Sequence, residues 1–315
     1  MTSSPDMPSN RNAPGGRALR WAATLTAVAI FPLVIVGAGV TSKGVGMAYP
    51  DWPTSAGHLV NPPQWWQGDG TRWEHGHRLI GWVVGMLAVL VAVSSWRRRG
   101  AMRVLGCALL GAIVVQGVLG GLRVTEVSTA LAMVHGVWGQ LCFCLACAIA
   151  WMTSRTWHEL PTVKPMPAVY VLQRVCLGTT AAVLVQLVLG GALRHFAADA
   201  ALVAHLMWAV VVVLMIGWVA MWVLAQPASL RPLVRFGWTL AALTVMQLML
   251  GGAALVVTVM GGWRGGVIAW AIPSAHTAVG ALLLATLAMT TLAAFRLQRA
   301  PASCHNARAN AVAVL

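Results

Sequence analysis

Eight stretches of the chain are long, apolar and almost free of charge. About 20 consecutive apolar residues are enough for a helix to cross the hydrocarbon core of a bilayer. The mean hydropathy of +0.76 and a charged fraction of 9% also place the chain in the membrane class. The sequence therefore predicts an all-α integral membrane protein with eight transmembrane helices. The predicted spans are 21–41, 76–96, 102–122, 130–152, 169–193, 201–224, 234–258 and 271–295.

The distribution of Lys and Arg predicts the orientation. If the N-terminus is inside, fifteen Lys and Arg lie at cytoplasmic segment ends and loops, and six lie on the opposite side. This is a positive-inside bias, and an even number of spans then puts both termini in the cytoplasm. The net charge of +14 follows from this signal and from attraction to the anionic lipid bilayer, so no nucleic acid partner is expected.

The composition also divides the chain. Two four-helix halves are expected, separated by a short polar linker and flanked by polar ends. The segments are a disordered cytoplasmic leader at 1–19, an N-terminal half at 20–152, a cytoplasmic linker at 153–168, a C-terminal half at 169–296 and a cytoplasmic tail at 297–315.

No cysteine lies in a predicted outer loop, so no structural disulfide is expected there.

An internal repeat links the two halves. The repeat occurs as QGVLGGLRVTEVSTALAMVHGVWG from Gln116, as QLVLGGALRHFAADAALVAHLMWA from Gln186 and as QLMLGGAALVV from Gln247. The first span is a more diverged copy of the repeat. Each unit is a helix with a face of small residues, an outer loop, and a helix with a histidine near its outer end. Small residues let membrane helices approach closely. Four units predict two pseudo-symmetric four-helix bundles related by an axis along the membrane normal.

The repeated histidines are His77, His135, His205 and His276, one in each unit and each within about two turns of the outer end. A single intramembrane histidine is often only a hydrogen-bonded polar group. Four at one depth are better explained by a cofactor, because ionisable groups in a span are costly and face the bundle interior. Two imidazoles from facing helices form the axial pair of a haem iron. We therefore expect two haems side by side near one membrane face, one in each half.

Further motifs resemble one family. YPDWP at 49–53, EHGHR at 74–78 and single histidines on the fourth, sixth and eighth spans are similar to the haem A synthase family. The resemblance implies oxidation of a ring methyl group of haem O to a formyl group, which gives haem A for haem–copper oxidases. It implies haem O between His77 and His135, and a resident haem b between His205 and His276. It further implies the cell inner membrane, haem sites toward the periplasmic face, and haem O synthase and a haem–copper oxidase as partners.

Glu74 is the expected catalytic residue. It shares a helix face with His77 at a spacing of three residues, which would hold a carboxylate beside the substrate haem. There it would accept a proton or orient a water molecule. The alternatives are a hydrogen bond to a histidine or an interfacial charge. His75 points to another face and is expected to have no role in the reaction.

Three arginines at outer helix ends, Arg78, Arg123 and Arg194, are candidate partners of the haem propionates. A guanidinium group can bind a carboxylate through two hydrogen bonds. Each arginine is equally compatible with an interfacial charge whose stem lies along apolar surface.

One departure from the family and two alternative functions remain. Many members carry paired cysteines in the outer loops, whereas Lys43–Gly57 and 195–201 contain none. We therefore do not expect a disulfide or a thiol relay in these loops. The alternatives are a non-catalytic di-haem electron carrier and an assembly factor that delivers haem unchanged.

Overall fold

The chain folds into apolar helices. The computed structural model describes residues 14–163, 166–227, 230–259 and 266–298, and within these ranges it contains nine α-helices, eight of them long and apolar enough to cross a membrane. The predicted all-α membrane class and its eight spans are confirmed. The helices are α1 Pro14–Lys43, α2 Asp69–Trp96, α3 Ala101–Thr125, α4 Thr129–Met152, α5 Arg155–His158, α6 Pro167–Phe196, α7 Asp199–Leu224, α8 Arg231–Val259 and α9 Gly266–Arg296.

Several helices begin earlier than the apolar pattern predicts. Residues 14–19, assigned to the leader, are the first turns of α1, because proline suits the first position of a helix. The first turn of α2 carries Asp69, whose charge is favourable near a helix N-terminus. The predicted linker contains α5 and the first residues of α6. The rest of the leader, 1–13, and most of the tail, 299–315, lie outside the described residues.

The long helices form two rings of contacts. In the N-terminal half, α1 packs against α2 and α4, and α3 packs against α2 and α4; in the C-terminal half, α6 to α9 contact one another in the same order. These contacts agree with two four-helix halves. The pseudo-symmetry of the two halves stays a prediction.

Helix α9 joins the two hydrophobic cores. Ala281 and Ala285 pack in the core of α1 to α4, whereas Leu284 and Leu287 pack in the core of α6 to α8. Of its most apolar window, 67% is buried, against 33% or less in every other span. The halves are therefore not separate bundles, because α9 lies between them.

The exterior of the helices is apolar. Leu90, Leu214 and Met249 are more than half exposed, as lipid-facing side chains would be. The orientation of the chain across a membrane stays a prediction.

Candidate functional site

The four repeated histidines form two pairs of the same geometry. The ring centroids of His77 and His135 are 6.4 Å apart, with an angle of 70° between the ring planes. Those of His205 and His276 are also 6.4 Å apart, with an angle of 73°. The pairs are the ones expected from the repeat. His276 lies nearly three turns from the start of α9, deeper than expected, because the apolar residues 266–270 extend that helix.

The separation within each pair suits one iron. An axial nitrogen lies about 2 Å from a haem iron and the ring centre lies about 1 Å farther out, so two axial imidazoles place their centroids roughly 6 Å apart. Among the described residues there is no group of three or more His, Cys, Asp or Glu that could hold a metal ion. An axial pair therefore fits these residues better than a metal site built from protein ligands alone.

A glycine of the preceding helix lies against each histidine ring. A Cβ atom on these glycines would lie 2.8 to 3.0 Å from the histidine Cε1 atom, tighter than nearly all real Cβ contacts. A larger residue would therefore push the ring away from the neighbouring helix. The pairs are Gly37 with His77, Gly120 with His135, Gly190 with His205, and Gly251 with His276.

Glutamines hold three of the histidines. Gln116 Nε2 donates to the backbone carbonyl of His135 at 3.1 Å and lies 3.4 Å from His135 Nε2. Gln186 donates to the carbonyl of His205 at the same distance, 3.1 Å. Gln247 Nε2 lies 3.3 Å from His276 Nε2. These glutamines stand at the start of each repeat, and their role was not predicted from their position in the sequence.

A second repeated contact lies one turn deeper. Trp138 Nε1 donates to the carbonyl of Ala112 at 2.9 Å, and Trp208 Nε1 donates to that of Ala182 at the same distance. Each tryptophan stands three residues after its histidine. The α3–α4 and α6–α7 pairs are therefore joined in the same way about one turn below their histidines.

Glu74 is buried and fully hydrogen-bonded. Its Oε1 atom accepts from Arg78 Nη2 at 2.6 Å, and its Oε2 atom accepts from the backbone amides of Ala48 and Tyr49 at 2.6 and 3.2 Å. Its relative exposure is 2%. The carboxylate thus anchors the loop between α1 and α2, a role that the sequence analysis did not include.

Arg78 binds the same loop from the other side. Its guanidinium group donates to the carbonyls of Asp51 and Thr54 at 2.8 and 2.6 Å, in addition to its bond with Glu74. It also reaches the carbonyl of Tyr49 at 3.3 Å. Both of its Nη atoms donate to protein acceptors, so in this structure Arg78 anchors the loop.

His75 also holds the loop. It is 3% exposed, and its ring nitrogens lie 3.0 Å from Ser55 Oγ and 3.2 Å from Asn61 Oδ1. Its ring packs against Trp65 with a centroid distance of 4.9 Å. The charged start of α2 therefore fastens the loop at several points, which explains why so many polar residues stand at the edge of an apolar helix.

Asp51 shapes the tip of the loop. The backbone amide of Gly57 and the hydroxyl of Thr54 donate to this carboxylate, and with the amide of Ala56 they lower the pKa of Asp51 to about 2. Burial raises the pKa of the nearby Tyr49 hydroxyl. The carboxylate is thus ionised at neutral pH and closes the turn that follows YPDWP.

The loop lies against α3 beside the first histidine pair. The Trp52 ring lies so close to the backbone of Gly121 that a Cβ atom there would overlap it. Gly121 directly follows Gly120, which contacts His135. Trp52 therefore contacts α3 at the residue that follows the one in contact with His135.

The two remaining arginines differ. Arg194 donates to the carbonyl of Ala38 and the hydroxyl of Ser42 on α1, both at 2.6 Å, and to the hydroxyl of Thr277 on α9 at 3.1 Å. It therefore joins the two halves and is not an interfacial charge. Arg123 lies against the loop at Gly46, and its buried Nε atom has no hydrogen-bond partner in the part of the chain that the structure describes.

Five cysteines are free thiols that lie within the described helices: Cys107, Cys142, Cys144, Cys147 and Cys176. Cys304 lies outside the described residues.

The comparisons with known proteins agree with the resemblance that the motifs indicated. Residues 69–204 match the family model described as cytochrome oxidase assembly protein. The matched segment is less than half of the chain. The matched segment contains Glu74 and the first histidine pair, and it ends one residue before His205. This match and the Heme A synthase described below support the resemblance to the haem A synthase family that the motifs indicated.

Two curated relatives are similar over part of their length. A Heme A synthase of Shouchella clausii is 33% identical over 111 residues, which are 33% of this chain and 35% of the relative. A Protoheme IX farnesyltransferase of Haloarcula marismortui is 31% identical over 150 residues, which are 45% of this chain and 31% of the relative. The chain thus spans about a third of the length of the curated relatives that it matches.

Proposed function

We propose that this protein is a haem A synthase that oxidises a ring methyl group of haem O to a formyl group. The observation that carries the proposal is the His77–His135 pair, which has a separation suited to one iron and lies beside a loop fastened by Glu74 and Arg78. The similarity to a Heme A synthase supports it. The name of the other relative, a Protoheme IX farnesyltransferase, is consistent with a haem-type substrate.

The two pairs would hold different haems. His77 and His135 would bind haem O as the substrate, and His205 and His276 would hold haem b as a resident cofactor. When bound, the haem iron supplies the redox chemistry that side chains lack. The equal centroid distances support one iron in each pair, and the glycine beside each ring supports a planar group bound close to the helices.

The chain's own residues would position the substrate and exclude water. Arg123 is the best candidate partner for a propionate, because its Nε atom is buried and lacks a hydrogen-bond acceptor. Arg78 and Arg194 are weaker candidates, since protein oxygens already accept their hydrogen bonds. Trp52 and the rest of the YPDWP loop would cover the outer side of the site.

Glu74 would handle protons only after a change in its contacts. Oxidation of a methyl group to a formyl group releases protons, so an acceptor near the substrate is needed. In the structure both oxygens of Glu74 already accept hydrogen bonds. We propose that Glu74 first fixes the loop, and that it becomes available as a base when Ala48 and Tyr49 move away.

This saturation of Glu74 also favours one alternative. A protein that binds two haems without altering haem O, as an electron carrier or a delivery factor, would need the carboxylate only as a loop anchor. The presence or absence of haem A as a product distinguishes these functions from that of a synthase.

We further propose the cell inner membrane as the location, the periplasmic side for both haem sites, and haem O synthase and a haem–copper oxidase as partners.

The test is haem extraction from cells that make haem O, with and without this protein. The proposal expects haem A only when the protein is present. The His77→Leu variant should lose haem A, while His58→Leu, which alters an exposed loop residue, should retain it. Haem O that stays unconverted in cells with abundant, haem-loaded protein would favour the delivery or carrier function.

A further inference from the structure

The four histidines are not supported equally. Three of the repeats have a glutamine four residues before the glycine that contacts the histidine, and in each the glutamine approaches that histidine. In the first repeat the equivalent position, four residues before Gly37, is Leu33. Leucine has no hydrogen-bonding group, so His77 is the one repeated histidine without this support.

The space that a glutamine fills elsewhere is open beside His77. Gln116 Nε2 would lie 2.8 Å from a Cβ atom on Gly139, and Gln247 Nε2 would lie 3.2 Å from one on Gly280. Both glycines stand four residues after their histidine. At the matching Gly81, no heavy atom of the described residues lies within 4 Å of such a Cβ atom.

His77 also has an unsatisfied nitrogen. Its buried Nδ1 atom has no hydrogen-bond partner in the described part of the chain, whereas Nδ1 of His135 lies 3.2 Å from the carbonyl of Gln116. Within the described residues the Nδ1 atom of His276 also lacks a partner, so the feature that distinguishes His77 from His276 is the contact between Gln247 and the Nε2 atom of His276. Hydrogen bonds to the second nitrogen and to the turn that carries a ligand fix its orientation.

The seam between α1 and α2 is loosely filled on a neighbouring face as well. A largely open depression of about 360 Å³ lies there, lined by Val36, Arg72, Trp73, Gly76 and Ile80. Gly76 directly precedes His77. The α2 turn that carries His77 therefore borders open space.

From these contacts we propose that Gln116, Gln186 and Gln247 are positioning residues for the axial histidines. We propose that His77, which has no such glutamine, is the axial ligand that dissociates from the haem iron when the substrate haem leaves. The inference rests on the proposed function, because it assumes that both pairs bind haem. A substrate haem must leave after conversion, whereas a resident haem must stay. One fixed ligand, His135, and one loosely held ligand, His77, would meet the first need, and two fixed ligands would meet the second.

The test measures haem release, not activity. Purified full-length protein is loaded with protohaem and mixed with an excess of apomyoglobin, and the rate of haem transfer is followed by absorbance. Each half is observed alone in the full chain, with His276→Leu to silence the C-terminal pair or His77→Leu to silence the N-terminal pair. The low-spin electron paramagnetic resonance signal reports in parallel whether both axial ligands are bound.

Two reciprocal substitutions are compared with matched controls. Leu33→Gln supplies the missing group and should slow release from the N-terminal half by roughly fivefold, the effect of one net hydrogen bond. Leu33→Met has a similar shape without a donor and should leave the rate unchanged. Gln186→Met should speed release from the C-terminal half by a similar factor and broaden its low-spin signal.

The outcomes separate the inference from the function on which it rests. If the wild-type protein binds no low-spin haem in either half, the proposed function fails. If haem binds but Gln186→Met and Leu33→Gln leave both rates unchanged, the inference is overturned while the function stands. Equal slowing by Leu33→Gln and Leu33→Met would also overturn it, because filling the space would then be sufficient.

Discussion

Replacing Glu74 by glutamine should release the loop between α1 and α2. Glu74 is an acceptor on both sides, toward Arg78 and toward the amides of Ala48 and Tyr49. A glutamine side chain has only one acceptor oxygen. Whichever way the amide is turned, its NH₂ group faces a donor, so either the pair with Arg78 or the bonds to the loop must break.

The cost follows from the burial of the pair. The exposed fractions of the Arg78 and Glu74 side chains are 13% and 3%. Removing one partner of a buried ion pair costs about 3 kcal/mol or more, because the other charge is left without compensation. The loop lies outside the helix cores, so we expect this cost as local opening and not as global unfolding. About 3 kcal/mol corresponds to roughly a hundredfold increase in the population of the open loop.

The assay is amide hydrogen exchange in detergent micelles, with peptides covering residues 48–58. Glu74→Gln and Arg78→Met should each speed exchange there by roughly a hundredfold, and the double variant should cost less than the sum of the two. Arg72→Met is the matched control, since its pair with Asp69 is more than half exposed on both sides and should contribute little. Unchanged exchange in Glu74→Gln would refute the loop-anchor role.

Three further predictions follow from the same contacts. The pKa of Asp51 is lowered to about 2 from an ordinary value near 3.8, so its contribution to loop order should be complete above about pH 4 and be lost as the pH falls toward 2. Protection of the loop amides, corrected for the intrinsic exchange rate, should decline over that range, and Asp51→Asn should lack this decline. Gly120→Ala should displace the His135 ring and lower the melting temperature and the low-spin signal, whereas Gly81→Ala, where nothing lies within 4 Å of the added methyl group in the described structure, should leave both nearly unchanged. Arg194→Met should destabilise the protein by about 2 to 4 kcal/mol in thermal melts, because charge-assisted hydrogen bonds to α1 and α9 are lost. Arg155→Met removes an exposed pair with Glu159 and should have almost no effect, so equal losses would contradict the bridging role of Arg194.

The helices and the histidine pairs could be predicted because each rests on a repeated pattern. Uninterrupted apolar length identifies a span whatever its neighbours are. The equal spacing of His135 and His205 from their repeat starts indicated that they play the same part in each half. A single histidine in a single span would have carried no such information.

The contacts of Glu74 could not be predicted in the same way. They depend on the path of the loop between α1 and α2, which has neither periodicity nor a partner segment elsewhere in the chain. The spacing of Glu74 and Arg78 was compatible with an ion pair on one helix face. Nothing in the spacing showed that two loop amides would take the remaining oxygen.

The central position of α9 could not be predicted from the sequence either. All eight spans are similarly apolar, and lipid is as apolar as a protein core, so hydropathy does not distinguish a central helix from a peripheral one. Likewise, Arg123 and Arg194 stand seven and eight residues after the glutamines that begin their repeats, and one retains an unpartnered nitrogen whereas the other bridges the halves. The offset of one residue turns the two side chains toward different neighbours.

The most direct test of the account is the haem content of the purified protein, made in cells that produce haem O and analysed by mass spectrometry of the extracted haems. Wild-type protein should contain haem b together with haem O or haem A. His276→Leu should lose haem b and retain haem O without conversion, whereas His77→Leu should keep haem b and contain neither haem O nor haem A. Haem A in either variant at the wild-type level would contradict the assignment of the substrate to His77 and His135 and of the resident haem to His205 and His276.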